Sequence, residues 1–141
     1  ADGRTTTNTY NKTAPWPALY TTNDAGLATG YLTRLRNGNQ TTEQFVQLTG
    51  GRANALPIDL GPDGDRLFLI LYGRNLGANA NGTATVGGVP APLLYAGPLQ
   101  PFNGVAQYNV EIPRTLAGAG RVEVSVTINN RQSNPVNVTL R

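Results

Sequence analysis

The chain contains no cysteine, no methionine and no histidine. Without Cys or His there is no thiol nucleophile, no Ser-His-Asp triad, no thiolate or imidazole zinc site and no disulfide. Charged groups are also scarce, at 13% of residues, and the cations are ten Arg and one Lys. No apolar run reaches the roughly 20 residues that a membrane-spanning helix needs. The longest candidate is Leu67 to Tyr72, so membrane insertion is not expected. Lacking Met, the chain has no initiator residue, and the Ala1-Asp-Gly terminus suits cleavage after a small-residue signal site. The expected location is therefore secreted or at the cell surface.

What is present points to one all-β domain. A length of 141 residues suits a single core, and 39% apolar residues suffice to fill it. With 17 Gly and 10 Pro, the composition favours short strands and tight turns over a helical bundle. Seventeen Thr and 15 Asn supply a polar, weakly ionic surface. A net charge of +3 does not make a nucleic-acid footprint, because the basic residues are scattered from Arg4 to Arg141. Arg34 and Arg36, the nearest approach to a patch, read as solvated charges on a strand face, and no nucleic-acid partner is expected.

Strand signals follow one another along the chain. Pro15-Trp16-Pro17 stiffens an extended segment that can plug one ring into a core. Leu27 to Arg36 reads as a strand stopped by Asn37-Gly38, a strong hairpin dipeptide, with Thr42 to Leu48 as its partner and Gly50-Gly51 as that partner's end. Asp65 to Gly73 is continuously apolar at its centre and predicts a central strand covered on both faces. Thr83 to Val86 and Val89 to Tyr95 flank a Gly87-Gly88 turn. In Gln107 to Ile112 the residues Tyr108, Val110 and Ile112 share one side, and Pro113 ends the run. In Arg121 to Ile128 the residues Val122, Val124, Val126 and Ile128 point inward and Glu123, Ser125 and Thr127 outward. After the Asn129-Asn130 turn, Val136, Val138 and Leu140 face in while Asn137 and Thr139 face out. Such a pattern predicts an immunoglobulin-like two-sheet sandwich over residues 15–141, preceded by an extended N-terminal arm over residues 1–14.

Ile70-Leu-Tyr-Gly-Arg-Asn-Leu-Gly77 is followed by Val86-Gly-Gly-Val-Pro-Ala-Pro-Leu-Leu-Tyr-Ala-Gly97, then by Tyr108-Asn-Val-Glu-Ile-Pro-Arg-Thr-Leu-Ala-Gly118, Val122 to Ile128 and Ser133-Asn-Pro-Val136. In this order the motifs resemble the Solibacter-type C-terminal domain of secreted bacterial proteins, itself similar to the IPT/TIG immunoglobulin-like fold. The resemblance covers roughly residues 18 to 141. It implies an extracellular β-sandwich that usually ends a long exported chain, and it brings no activity. Here only a short polar extension precedes the domain, which suggests a small chain acting as the working unit.

Candidate sites are few. Asp59, Asp63 and Asp65, spaced by Gly61, Pro62 and Gly64, could offer oxygens to calcium. Their spacing does not fit an EF-hand loop, and a turn before a strand uses the same residues. The remaining acids, Asp2, Asp24, Glu43, Glu111 and Glu123, show no convergence of the kind that glycoside hydrolysis requires. No catalytic residue, no metal ligand and no cofactor is assigned, and the chain is expected not to be an enzyme. Asn-x-Thr sequons begin at Asn11, Asn39, Asn81 and Asn137. Of the rings Tyr10, Trp16, Tyr20, Tyr31 and Phe102, only Tyr10 lies in wholly polar surroundings and suits contact with another molecule.

The polar, β-prone arm decides the expected function. Alternation places Thr5, Thr7 and Thr9 on one face and Asn8, Tyr10 and Lys12 on the other. With no hydrophobic berth on its own body, residues about 4 to 13, from Arg4 onward, can add as a strand to the sheet edge of a neighbouring copy. About six to eight backbone bonds at roughly 1 kcal/mol each would be offset in part by ordering the arm. Homopolymer formation, as a filament or surface layer, is the leading expectation. The alternative is a monomeric module that binds an extracellular glycan or protein through Tyr and Asn on loops such as Gly73 to Asn81.

Overall fold

The computed structural model describes residues 16–74, 82–102 and 104–141. These residues are all-β with antiparallel sheets, and among them there is one short 3-10 turn, Arg114–Leu116, and no α-helix. The strands are β1 (Ala18–Leu19), β2 (Gly30–Arg36), β3 (Asn39–Glu43), β4 (Val46–Thr49), β5 (Arg52–Ala55), β6 (Arg66–Arg74) and β7 (Gly82–Val86). They continue with β8 (Val89–Ala91), β9 (Leu93–Pro98), β10 (Ala106–Glu111), β11 (Gly120–Ile128), β12 (Arg131–Gln132) and β13 (Val136–Leu140).

The first sheet runs β9-β10-β6-β2-β3, with β1 against the end of β6. The second runs β12-β11-β7-β8, and β13 pairs with the other half of β11. Both contribute to one core. Leu32, Leu69, Leu71, Tyr108 and Val110 come from the first sheet, and Val86, Val124, Val126, Val136 and Val138 from the second. Each such aliphatic side chain, fully buried, contributes about 1.5–3 kcal/mol. The chain changes sheets after β6, again at Pro92 between β8 and β9, and again through the 3-10 turn.

The apolar run does form the spine. β6 pairs with β2 on one side and β10 on the other. Its cover is unequal, however: Leu67, Leu69 and Leu71 are sealed in the core, whereas Phe68 and Tyr72 on the opposite face are only half-buried. β2 begins at Gly30, later than expected. Gly30 has φ 153°, and a Cβ there would overlap the Ile70 carbonyl oxygen, so only glycine permits this close start.

Two expected strands are each divided. β3 starts at Asn39, directly after the Asn37-Gly38 turn, and ends at Glu43. Phe45 then turns into the core, and β4 pairs with β5 across Gly50-Gly51, a hairpin that alternation in the sequence did not announce. Val89 to Tyr95 also splits, because Pro90 and Pro92 interrupt the ladder donors needed for one continuous strand. Trp16 is not a core plug: it is 51% exposed, and the Arg131 guanidinium lies 5.0 Å from its ring centroid. Asn137 and Ser125 alternate with core residues as expected, yet they are buried too. Asn137 Nδ2 donates to the Ala25 carbonyl at 2.8 Å, and Ser125 Oγ shares a 3.0 Å hydrogen bond with Thr85 Oγ1.

Tyr108 gives this core a pH dependence. Its ring is fully buried, and desolvation, with a smaller contribution from Tyr20, pushes the phenol up to about 12. A raised folded value stabilises below the unfolded value of about 10, and that contribution disappears as pH rises through the folded value. Thermal midpoints measured by circular dichroism should therefore decline between about pH 10 and 12, and Tyr108→Phe should flatten the decline.

Candidate functional site

One end of the β2–β3 hairpin is fastened by ions. Arg34 is only 8% exposed and Asp65 only 2%, so the Arg34–Asp65 pair belongs to the interior and not to a solvated strand face. Arg34 Nη1 donates to Asp65 Oδ2 at 2.8 Å and to the Leu60 carbonyl at 3.2 Å. Its Nη2 donates to the Asp59 carbonyl at 2.6 Å and to Glu43 Oε1 at 3.1 Å, while Nε donates to Glu43 Oε2. Arg36, itself largely exposed, reaches Asp65 through Nε and Nη2. Arg114 closes the group by donating to the Leu60, Asp65 and Gly61 carbonyls.

Hydrogen bonds from Arg36 and then Arg34 hold the Asp65 carboxyl far below the usual carboxylate range, against the opposing effect of burial. A hydrogen bond from Arg66 likewise lowers Glu111. Carboxyls lowered in the fold stabilise it above their unfolded values near pH 4, and this contribution is lost as pH falls through the folded values. With no histidine in the chain, the thermal midpoint should be nearly level from pH 5 to 8 and should drop below about pH 4. Asp65→Asn should start lower at neutral pH and drop less.

The edges of the two sheets differ in how they are guarded. β8 is three residues long and carries Pro90. β9 carries Pro98 and a register shift between Leu93 and Tyr95. β1 is closed by the Asn134 side chain, which accepts from Leu19 N–H at 2.8 Å and donates to Leu19 C=O at 2.9 Å. β13 is covered by flanking segments: Ala28 N–H donates to Asn137 C=O at 3.0 Å and Ile58 N–H to Thr139 C=O at 2.8 Å. β12 is two residues long and leads directly into β13.

Among the described residues, β3 has none of these devices. Asn39, Gln40, Thr41 and Thr42 are all exposed, without Pro, Lys or a bulge. The two-residue turn, with φ 51° at Asn37 and 79° at Gly38, makes Arg36 and Asn39 its closing pair. Alternation of the ladder then directs the N–H and C=O groups of Gln40 and Thr42 to the open side.

The outer face of the first sheet is mixed apolar and amide in character. Tyr31, Ile70 and Asn109 stand side by side in register, as do Thr33 and Phe68, and Tyr72 and Gln107. The Tyr31 and Tyr72 rings are 6.3 Å apart and tilted at 58°. Arg66 pairs with Glu111 at 2.9 Å and lies 5.2 Å from the Phe68 centroid.

The arm residues Arg4, Thr5, Thr7, Thr9, Tyr10 and Lys12 lie outside the described residues, as do 75–81 of the expected binding loop and the sequons at Asn11 and Asn81. The three aspartates are not brought to one point. Asp65 is taken by arginines, Asp59 Oδ1 accepts from Gly61 N–H at 2.9 Å within the turn, and Asp63 is exposed. No group of three or more potential ligating side chains forms among the described residues. Glu43 and Glu111 are each paired with an arginine. Phe102 is exposed, and Tyr20 is half-buried. No protein-family model, no curated protein and no solved structure matches the chain.

Proposed function

We propose that the chain is a secreted, non-catalytic structural subunit with an immunoglobulin-like sandwich fold, and that copies join head to tail. Residues about 4 to 13 of one copy add to β3 of the next, building a filament or surface layer. The observation that carries this reading is the β3 edge, wholly polar and unguarded among the described residues, together with an N-terminal sequence rich in Thr. The ordered motifs that resemble the Solibacter-type domain support an exported sandwich.

β3 is five residues long, too short for the roughly six to eight backbone bonds expected of the arm. Its open side offers about four or five backbone bonds at roughly 1 kcal/mol net each. Ordering the arm offsets part of that gain. The arm therefore supplies register, direction and a share of the affinity, further contact between bodies supplies the rest, and neither suffices alone. Negative-stain microscopy and sizing chromatography of the native secreted material should show polymers, and removal of residues 1–13 should leave monomers. Normal polymers from the truncated chain would end this reading.

A further inference from the structure

We propose that the outer face of the first sheet binds a neutral polysaccharide, an activity independent of assembly. The site is an open depression of about 250 Å³ between β3, β2, β6, β9 and β10. Tyr31, Phe68, Ile70 and Leu94 line it together with the amide residues Gln40, Gln107 and Asn109. Gln107 Nε2 donates to Asn109 Oδ1 at 2.9 Å. Among the described residues Gln107 Oε1 and Asn109 Nδ2 have no protein partner, leaving an acceptor and a donor next to one another.

The chemistry of this lining selects the ligand. No charged side chain lines the depression, and the nearest charges on the same face, Arg66 and Glu111, neutralise each other. An anionic or cationic polymer would find no counter-charge there. A sugar ring offers an apolar C–H face and a rim of hydroxyls, matching aromatic rings beside amides that can both donate and accept. The volume lies below the roughly 300–1,000 Å³ of clefts that enclose a whole drug-sized ligand. It suits one unit of a longer chain running over an open sheet. A docked protein would need a desolvated apolar centre, whereas here three amide side chains share the lining with Tyr31, Phe68, Ile70 and Leu94.

The test is affinity electrophoresis of the full chain in gels containing mixed-linkage β-glucan, galactomannan or dextran, with polygalacturonate and heparin as charged comparisons. At least one neutral polymer should retard the protein. Gln107→Ala with Asn109→Ala should weaken that retardation about tenfold, as should Tyr31→Ala, with melting midpoints confirming the fold. Gln107→Glu, nearly isosteric and charged, should also weaken it. Removing residues 1–13 should leave it unchanged, so failure of the assembly reading does not carry over. Retardation by none of the neutral polymers, by the charged polymers alone, or equally with the folded variants, overturns the proposal.

Discussion

Arg34→Met should destabilise the fold by about 3 kcal/mol, the low end of the range for removing one partner of a buried ion pair, because Arg36 still pairs with Asp65. A guanidinium has five N–H donors, and each one of Arg34 has an acceptor: two go to Glu43 and the others to Asp65 and the carbonyls of Leu60 and Asp59. The two carbonyls belong to the segment leading into β6. Methionine can fill the volume; the Leu60 carbonyl keeps its bond from Arg114, and the Asp59 carbonyl loses its donor. Arg34→Lys keeps the charge without the planar fork, so an intermediate loss is expected. Combining Arg34→Met with Asp65→Leu should cost more than Arg34→Met alone, because Arg36 still compensates the Asp65 carboxylate after Arg34 is gone and the double change removes that pair too. Urea unfolding at neutral pH measures all three, and a loss for Arg34→Met near that of a surface substitution, within about 0.5 kcal/mol, would contradict the role assigned to the network.

The second large effect is on assembly. Thr42→Pro should convert the polymer to monomers while retaining the fold, because the Thr42 N–H faces the open side of β3 and takes no part in pairing with β2. Its ring would block strand addition at the centre of the edge. Complementation sharpens the test. A chain lacking residues 1–13 keeps its edge and has no arm, whereas the Thr42→Pro chain keeps its arm and has no receptive edge. Neither should polymerise alone, and mixed together they should form one-to-one pairs and stop. Analytical ultracentrifugation distinguishes this from two non-interacting monomers, the outcome that would remove β3 as the acceptor.

Strand existence was legible wherever side chains alternate and turn residues bound them. Val122 to Ile128 and Val136 to Leu140 lie as read, and the turns at Asn37-Gly38, Gly87-Gly88 and Asn129-Asn130 all adopt positive φ. Boundaries were less legible where a distant contact overrules local pattern. Phe45 divides an otherwise continuous β-prone run because the core takes its ring. Arg34 and Arg36 looked like ordinary surface charges, since nothing local shows that the chain returns about 30 residues later with Asp65 between them. The outer-face site was missed for a related reason. Tyr31, Phe68, Gln107 and Asn109 come from three strands, and only their register makes them neighbours.

Sequence alone determined that this chain offers no thiol, imidazole or disulfide chemistry and that it is built from strands. Those are properties of residue types and of nearest-neighbour alternation, which need no partner to be read. Tertiary structure alone decided which edge is left open among the described residues, which charges are buried and which side chains share a face. Each of these depends on segments far apart in the chain meeting at one place, and no local sequence pattern encodes the meeting.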